Sequence, residues 1–271
     1  MKTLCCPVCG KSLTREEKRY LCEGGHSYDR AKQGYVNLLQ SQRSSKRNHG
    51  DDREMVTARQ QFLELGYYAP LRDLLTERVY FYTAKNGVIA DAGCGEGWYT
   101  EGVAASLPDA TILGFDISKE ALKWAGKRQG FDHLAVASCY HLPLADSSVD
   151  ALLNFFSPLA AEEYCRVLKP GGHLFRAVPG EHHLWELKAA VYDTPKPNLP
   201  EPEELSGLTL LERCPVQKEM TLKTNEELQA LFKMTPYYYR TSPGDKAKLE
   251  AYQTLTTRTE FTLLIYKKDE R

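Results

Sequence analysis

Residues 88–97 place an acidic side chain and three alternating glycines directly after an apolar run. The run Val88–Ala90 predicts a buried parallel strand, and Asp91 follows it. The glycines are Gly93, Gly95 and Gly97. Glycine allows a tight turn and lets a ligand approach the backbone with no Cβ in the way. A second apolar run ends in Asp116, where a carboxylate can accept hydrogen bonds from a ribose diol. We therefore expect a nucleoside-type cofactor between these two strand ends.

The spacing of the glycines indicates which cofactor this is. Dinucleotide enzymes use G-x-G-x-x-G, with a pyrophosphate at the helix N-terminus. This chain has G-x-G-x-G, and Asp91 stands two positions before the first glycine. An acid there suits a cationic amino-acid tail better than a diphosphate. The segment resembles motif I of the class I S-adenosylmethionine-dependent methyltransferases, which makes S-adenosylmethionine the expected cofactor. The alternatives are a glycine-rich turn that binds nothing and a dinucleotide enzyme.

The first 39 residues contain a second candidate site, this one for a metal. Cys6 and Cys9 form a Cys-x₂-Cys pair, and Cys22 and His26 form a second close pair. Three thiolates and one imidazole suit a tetrahedral structural Zn²⁺ with no open position. Cys5 could replace Cys6 as a ligand, although the Cys-x₂-Cys spacing favours Cys6. Aromatic and basic residues at 27–39 suit stacking on unpaired bases and contact with phosphates, or packing within the module itself.

Charge and composition limit the class of protein. The chain has 271 residues, enough for one main domain and an appendage. Residues 1–60 carry twelve Lys and Arg against seven Asp and Glu. This basic end favours a polyanionic partner, although it could be only a solvated charge run. The cysteine distribution argues against a disulfide framework. Without an apolar stretch of about 18 residues or a signal peptide, we expect a cytoplasmic protein with no membrane partner.

The rest of the chain alternates between strand and helix patterns, which predicts a doubly wound sheet that is mostly parallel. Helices are expected near 53–65 and up to Tyr82, then at 98–107, 119–128 and 160–168. Strands are expected at 88–91, 111–116, 134–138, 149–156, 173–178, 208–222 and 258–267, the last as an edge strand. The prediction is therefore a seven-stranded α/β class I methyltransferase fold. It comprises a zinc module at 1–39, a basic linker and helical segment at 40–85, and a catalytic domain at 86–271.

Three features near the expected strand ends could serve the reaction. A proline-rich segment near 193–205 cannot be regular structure and is expected to be a lid or insertion beside the substrate. His141 follows the third strand of the cofactor fold, and His183 follows the fifth. Either histidine is a candidate proton acceptor, although a lone histidine at such a place is more often a helix cap.

Taken together, these motifs resemble the bacterial 23S ribosomal RNA guanine-N1 methyltransferases over nearly the whole chain. The resemblance rests on the zinc module, on 31–39, on Gly50-Asp51, on the glycine turn with Tyr99-Thr100, on 169–172 and on 183–188. It implies that Tyr68, Gly95, Glu96 and His183 contact the cofactor. It also implies that the zinc module binds a hairpin loop of the ribosomal RNA, and that the enzyme is a homodimer.

The predicted reaction is methyl transfer from S-adenosylmethionine to N1 of a guanosine in a 23S ribosomal RNA hairpin loop. The chain departs from the family pattern at Cys5-Cys6, at Trp98 and at 154–157, and the last departure leaves the target guanosine open. Two alternatives belong to other classes. A small-molecule methyltransferase would leave the metal module without a task, and a non-catalytic zinc RNA-binding protein would not need the intact Asp91 and Asp116 pair.

Overall fold

The computed structural model describes residues 4–39 and 50–270. The N-terminal module contains a small antiparallel sheet of three strands, β1 (Leu13–Arg15), β2 (Arg19–Cys22) and β3 (Ser27–Asp29). The first ten residues of the basic linker and helical segment predicted at 40–85 lie outside the described residues. None of the described helices is long and apolar enough to cross a membrane.

The main sheet contains every strand that the sequence predicts for the catalytic domain. It has eight strands in the order β10-β11-β9-β8-β5-β6-β7-β4. In chain order these are β4 (Val36–Asn37), β5 (Val88–Ala92), β6 (Thr111–Asp116), β7 (His133–Val136), β8 (Val149–Phe155), β9 (Leu168–Pro179), β10 (Leu208–Leu222) and β11 (Leu255–Lys268). The strands from β9 to β4 are parallel, and β10 and β11 are antiparallel.

Two details of the sheet differ from the sequence prediction. The eighth strand, β4, comes from the N-terminal module and pairs with β7, so the module extends the catalytic sheet. The prediction that the C-terminal strand lies at the edge is wrong, because β11 inserts between β9 and β10. The apolar and polar alternation shows that a strand has two different faces, but it does not show which neighbours the strand pairs with.

Helices flank this sheet on both faces. They are α1 (Arg53–Glu64), α2 (Ala69–Tyr82), α3 (Trp98–Ser106), α4 (Lys119–Ala125), α5 (Ala161–Val167), α6 (Trp185–Val191), α7 (Asn225–Lys233) and α8 (Pro243–Ala247). Asp52 caps α1 by accepting a hydrogen bond from the Met55 backbone N–H. The sequence prediction did not include α7, although Thr224 caps it through the Glu227 backbone N–H, a signal that is readable in the sequence.

Alternate residues of each parallel strand pack on opposite faces of the sheet. Ile89 belongs to the core beneath α1, α2, α3 and α6, whereas Ala90 belongs to the core on the other face. That second core also includes Leu4, Leu13 and Tyr20 of the N-terminal module. A module of this size has little apolar mass of its own, so it shares the hydrophobic core of the larger domain.

Backbone contacts fix the N-terminal module against the catalytic body. The Cys5 N–H donates to the Pro143 carbonyl at 2.8 Å. A Cβ on Gly126, just after α4, would lie 2.0 Å from the Gln33 carbonyl oxygen. Gly126 therefore allows an approach of the two backbones that any larger residue would prevent.

Candidate active site and metal centre

The loop between β5 and α3 turns on three glycines with positive φ. A Cβ on Gly93 would lie 2.3 Å from the Ser157 Cβ, so a side chain there would collide with the β8 loop. At Gly95, by contrast, a Cβ would meet no atom within 4 Å. The missing side chain of Gly95 therefore leaves space free beside the loop, as a bound ligand requires.

This loop forms one wall of a cavity of about 290 Å³ at the carboxyl ends of the parallel strands. Asp91, Gly93, Gly95, Glu96 and Asp116, all predicted from the sequence, line it. Three segments that the sequence reasoning had singled out also line the cavity: Gly50 and Asp51, residues 137–140 after β7, and residues 155–158 after β8. Arg59 and Leu63 of α1 and Ile117 after β6 line it as well, and sequence reasoning did not select them.

Asp91 is buried, and only one of its two carboxylate oxygens has a partner. Its Oδ2 accepts a hydrogen bond from the Thr100 hydroxyl at 2.5 Å, whereas its Oδ1 has no partner among the described residues. Burial raises the pKa of Asp91 to about 7, and the nearby Asp116 carboxylate adds to the rise. A buried carboxylate oxygen without a partner is costly, and a cationic ligand group would satisfy it.

Glu96 is the second buried carboxylate with an orphaned oxygen. Its Oε2 pairs with the Arg128 guanidinium at 2.5 Å, and its Oε1 has no partner among the described residues. Burial raises the pKa of Glu96, and the Arg128 charge opposes this rise. Arg128 also pairs with Glu64 of α1 and with Glu101 of α3, so one guanidinium connects the cofactor loop to two helices.

Asp116 is held in a fixed orientation by backbone N–H groups. Its Oδ2 accepts from the Gly95 N–H at 2.8 Å, and its Oδ1 accepts from the Ser118 N–H at 2.7 Å. Burial raises the pKa of this carboxyl group despite these two bonds. Each oxygen keeps a further lone pair, so the group can accept from two adjacent hydroxyls.

The loop after β8 presents an aromatic ring to the cavity. Phe156 has a φ of +54°, which an aromatic residue rarely adopts, and its side chain is 49 % exposed. Hydrogen bonds among its neighbours stabilise this loop: the Asn154 amide donates to the Ser157 hydroxyl at 2.6 Å, and that hydroxyl donates to the Ala92 carbonyl. Strain that is stabilised in this way occurs mostly at functional sites.

Tyr68 and His183 contact each other but do not line the cavity. The Tyr68 Oη lies 3.5 Å from the His183 Nε2, and both side chains are buried against Phe261. The His183 Nδ1 accepts a hydrogen bond from the Glu260 N–H. Burial, with the Lys188 charge, lowers the pKa of His183 to about 3, so the imidazole is neutral at physiological pH. Cofactor contact for this pair stays a prediction.

Neither predicted proton acceptor nor the predicted lid is among the residues that line the cavity. His141 is exposed just beyond the 137–140 wall, where its N–H donates to the Ser138 carbonyl. Residues 193–205 are irregular, as the prolines predict. They pack instead beside β9 and α6: the buried Arg176 donates to the Pro202 carbonyl, and the Asn198 amide donates to the Gly180 carbonyl.

The four predicted metal ligands form one cluster. The ligand atoms of Cys6, Cys9, Cys22 and His26 all lie within 4.8 Å of one another, whereas Cys5 lies outside the cluster. The Cys6 Sγ lies 3.5 Å from the His26 Nδ1, and the Cys9 and Cys22 sulfurs are 3.3 Å apart. These separations and this donor set suit a tetrahedral Zn²⁺.

Two further features of the cluster favour thiolate ligands. Burial raises the pKa of the Cys6 thiol, but a hydrogen bond from Tyr28 and others from the backbone outweigh it and lower that pKa to about 6. The Gly24 N–H donates to the Cys22 sulfur, and a Cβ on Gly24 would lie 3.3 Å from the Cys9 sulfur. Glycine at this position therefore leaves room for the cluster.

Comparison with protein families assigns both parts of the chain. A zinc-ribbon family model described as "RlmA, N-terminal" matches residues 4–47. A family model described as "Methyltransferase domain" matches residues 90–176. The first match covers the metal cluster, and the second covers β5 to β9 with the glycine loop. The chain has a class I methyltransferase fold with an N-terminal zinc ribbon, and it binds S-adenosylmethionine and zinc.

Two curated relatives match two thirds or more of the chain. A 23S rRNA (guanine(748)-N(1))-methyltransferase of Streptomyces fradiae is 36 % identical over 194 residues, covering 70 % of this chain and 68 % of the relative. A protein of Bacillus subtilis (strain 168), named as a candidate 23S rRNA (guanine-N(1)-)-methyltransferase, is 30 % identical over 258 residues, covering 90 % and 89 %. Among solved structures, the YcgJ protein of Bacillus subtilis matches 74 % of this chain and 98 % of its own, with a TM-score of 0.49 at 13 % identity.

Proposed function

This chain belongs to the 23S rRNA (guanine-N1)-methyltransferase family, and from that premise we propose that it transfers a methyl group to N1 of a guanosine in a hairpin loop of 23S ribosomal RNA. One observation carries the proposal. The zinc ribbon adds a strand to the same sheet whose other strand ends form the cofactor cavity. RNA held by the ribbon would therefore lie on the same rigid body as the methyl donor.

The cavity residues suit S-adenosylmethionine because their unsatisfied groups match its polar groups. We assign the unpartnered Oδ1 of Asp91 to the cationic amino-acid tail and the fixed oxygens of Asp116 to the ribose diol. The unpartnered Oε1 of Glu96 would accept from the ribose or the tail. Residues 137–140 would border the adenine. Bound S-adenosylmethionine supplies an activated methyl group on a sulfonium centre.

The protein's main task is then to position the base. Guanine N1 carries a proton and lies on the Watson–Crick edge, so the base must leave any pairing before it reacts. Phe156 offers an exposed ring at the cavity against which the displaced base would stack. The new N1–methyl bond replaces the N1–H bond, and the proton leaves to an acceptor. Fixing the reacting atoms in line supplies roughly 7–11 kcal/mol of such a barrier.

Transfer of labelled methyl from S-adenosylmethionine to unmodified 23S ribosomal RNA tests the function. Methylation at N1 blocks the pairing edge, so reverse transcription should stop at one guanosine and identify it. Label found only in small molecules, or no label at all, would contradict the proposal.

Two variants test the cofactor assignment by calorimetry. We expect Asp116→Ala to weaken S-adenosylmethionine binding with little change in RNA affinity. Asp109→Ala, which removes an exposed carboxylate of the same domain, is the control and should keep wild-type affinity. Unchanged cofactor affinity in Asp116→Ala would refute the assignment.

We also propose that the enzyme is cytoplasmic and that it is a homodimer, the second as the family resemblance implies. Tyr80 and Phe81, at the end of α2, are 52 % and 70 % exposed, and Leu211 of β10 is 42 % exposed. The Tyr82 hydroxyl donates to Glu212 of β10, which places the end of α2 beside this strand, and we propose that these three side chains form the dimer surface. Light scattering should give the dimer mass for the wild type and the monomer mass for Phe81→Ser if this surface is the interface.

A further inference from the structure

A second cavity, of about 230 Å³, lies where the zinc ribbon meets the catalytic domain. The ribbon contributes Arg15, Arg30 and Lys32 to its wall, and the catalytic domain contributes Arg128 and Asp132. Neither the family matches nor the proposed methyl transfer assigns a task to this cavity. Four of these five side chains are cationic, so the cavity favours an anionic ligand.

The three cations of the ribbon are not neutralised by the protein. Arg15, Arg30 and Lys32 make no ion pair with any residue that the structure describes. Arg15 donates to the Asp132 carbonyl at 2.6 Å, and Arg30 donates through its Nε to the Gly34 carbonyl at 3.0 Å. Both bonds go to backbone oxygens, which orient the guanidinium groups and leave their charge and further donors available.

The acidic residues near this cavity are already engaged. The Asp132 Oδ2 accepts from the Ile112 backbone N–H at 2.8 Å. Arg128 donates hydrogen bonds to Glu64, Glu96 and Glu101, so its positive charge is already paired with carboxylates. The Asp132 carboxylate keeps its negative charge, but the unpaired cations Arg15, Arg30 and Lys32 outnumber it, so the cavity is positive overall.

The cavity shares a wall with the cofactor site. A Cβ on Gly97 of the cofactor loop would lie 2.9 Å from the Phe131 ring and 3.3 Å from the Arg128 side chain. Phe131 and Arg128 line the second cavity, and Gly97 lines the first. A ligand in the second cavity would thus sit one side-chain layer from the methyl donor.

We propose that this cavity binds a backbone phosphate of the RNA substrate. This contact would fix the distance between the RNA segment that the zinc ribbon binds and the base that is methylated. Guanidinium and ammonium groups form charge-assisted hydrogen bonds with phosphate oxygens, and such contacts fix the position of a nucleic acid without reading its sequence. The inference rests on the proposed function in taking RNA as the partner.

The salt dependence of RNA affinity measures these contacts directly. Each phosphate contact contributes about 0.7–0.9 to the slope of log affinity against log salt concentration. The measurement uses the full-length zinc-loaded protein and a fragment of 23S ribosomal RNA. We expect Lys32→Gln to reduce the slope by the value of one phosphate contact, about 0.7–0.9. The double variant Arg15→Gln with Lys32→Gln should reduce it by no more than this one contact, because the cavity holds a single phosphate.

Matched variants separate this effect from misfolding. Lys32 makes no side-chain hydrogen bond with residues 4–39 or 50–270, so its loss should leave zinc content and thermal stability unchanged. Arg30→Lys keeps the charge and should keep the slope, whereas Arg30→Gln should lower it. Lys218→Gln removes an exposed lysine from β10, at the opposite edge of the sheet, and should not alter the slope.

The outcomes distinguish this inference from the proposed function. Wild-type slopes in the Lys32 and double variants, or an equal loss in Lys218→Gln, would overturn the phosphate site even in an enzyme that methylates 23S RNA. If the variants show the expected loss of slope relative to the wild type but the wild type transfers no methyl group to RNA, the proposed function is contradicted and the phosphate site is supported. Calorimetric affinity for S-adenosylmethionine should be the same in all variants.

Discussion

Replacing Asp91 by asparagine should stabilise the cofactor-free protein and weaken cofactor binding. The substitution preserves the size of the side chain, and an amide oxygen can still accept from the Thr100 hydroxyl. What it removes is the negative charge of a carboxylate that is 3 % exposed. The two expected effects have opposite signs because the charge is costly in the empty site and useful in the occupied one.

The pKa of Asp91 gives the size of the stability effect. Burial raises this pKa from 3.8 to about 7, and each pKa unit corresponds to about 1.4 kcal/mol. The ionised carboxylate therefore destabilises the native state by at most about 4 kcal/mol. Between pH 3.8 and about 7 the native protein holds a proton that the unfolded chain has lost, so this contribution falls as the pH rises and is lowest above pH 7. We expect the stabilisation of Asp91→Asn to be largest at pH 8 and to vanish near pH 4.

Cofactor affinity should change in the other direction. A hydrogen bond to a charged group contributes about 1.5–3 kcal/mol, so Asp91→Asn should weaken S-adenosylmethionine binding about 10- to 150-fold. Denaturant unfolding from pH 4 to pH 8 measures the first effect, and calorimetry at pH 8 measures the second. Asp109→Asn, at an exposed position, is the control for both. A less stable variant at pH 8, or one with wild-type cofactor affinity, would refute the reasoning.

Three further substitutions test other parts of the structure. Cys22→Ser should lose zinc, as measured by metal analysis, and should also lose affinity for a ribosomal RNA hairpin. If the zinc-free variant still bound the hairpin with wild-type affinity, the ribbon would not be the RNA-binding part. Gly126→Ala should lower the free energy of unfolding by about 1–3 kcal/mol because its Cβ would collide with the Gln33 carbonyl, whereas Gly244→Ala, with open space around it, should not. Phe156→Ala should raise the KM for RNA and leave cofactor affinity unchanged; an unchanged KM would exclude base stacking on this ring.

The sequence predicted the fold well where local pattern and burial agree. The central strands β5 and β6 lie within a residue of their predicted bounds, because both faces of a parallel sheet are covered and each strand is a continuous apolar run. The cofactor loop and the metal cluster were also predictable. In each, the functional residues are close in sequence and their spacing follows from the ligand's geometry.

Contacts between distant segments could not be predicted in this way. Arg59 reaches the cofactor cavity only because α1 packs against α4 and α7, and no local pattern indicates this packing. His183 and Tyr68 are far apart in the chain and meet at 3.5 Å through tertiary packing. The family resemblance implied cofactor contact for these two residues, whereas the partners seen in the structure are each other, Phe261 and the Glu260 backbone.

Arg128 shows how the cofactor loop is held within the catalytic body. Its guanidinium binds carboxylates from α1, from the cofactor loop and from α3, and it is 12 % exposed. A lysine could not replace it, because three carboxylates at different angles need the planar array of donors that only arginine has. The same side chain forms the wall between the cofactor cavity and the basic cavity beside the ribbon. Removing either partner of a buried ion pair costs about 3–5 kcal/mol, so the structure resists any motion that separates Arg128 from Glu96. The cofactor loop is thus held by a buried ion pair, whereas the ribbon is held on the same sheet by the pairing of β4 with β7 and by the bond from the Cys5 N–H to the Pro143 carbonyl.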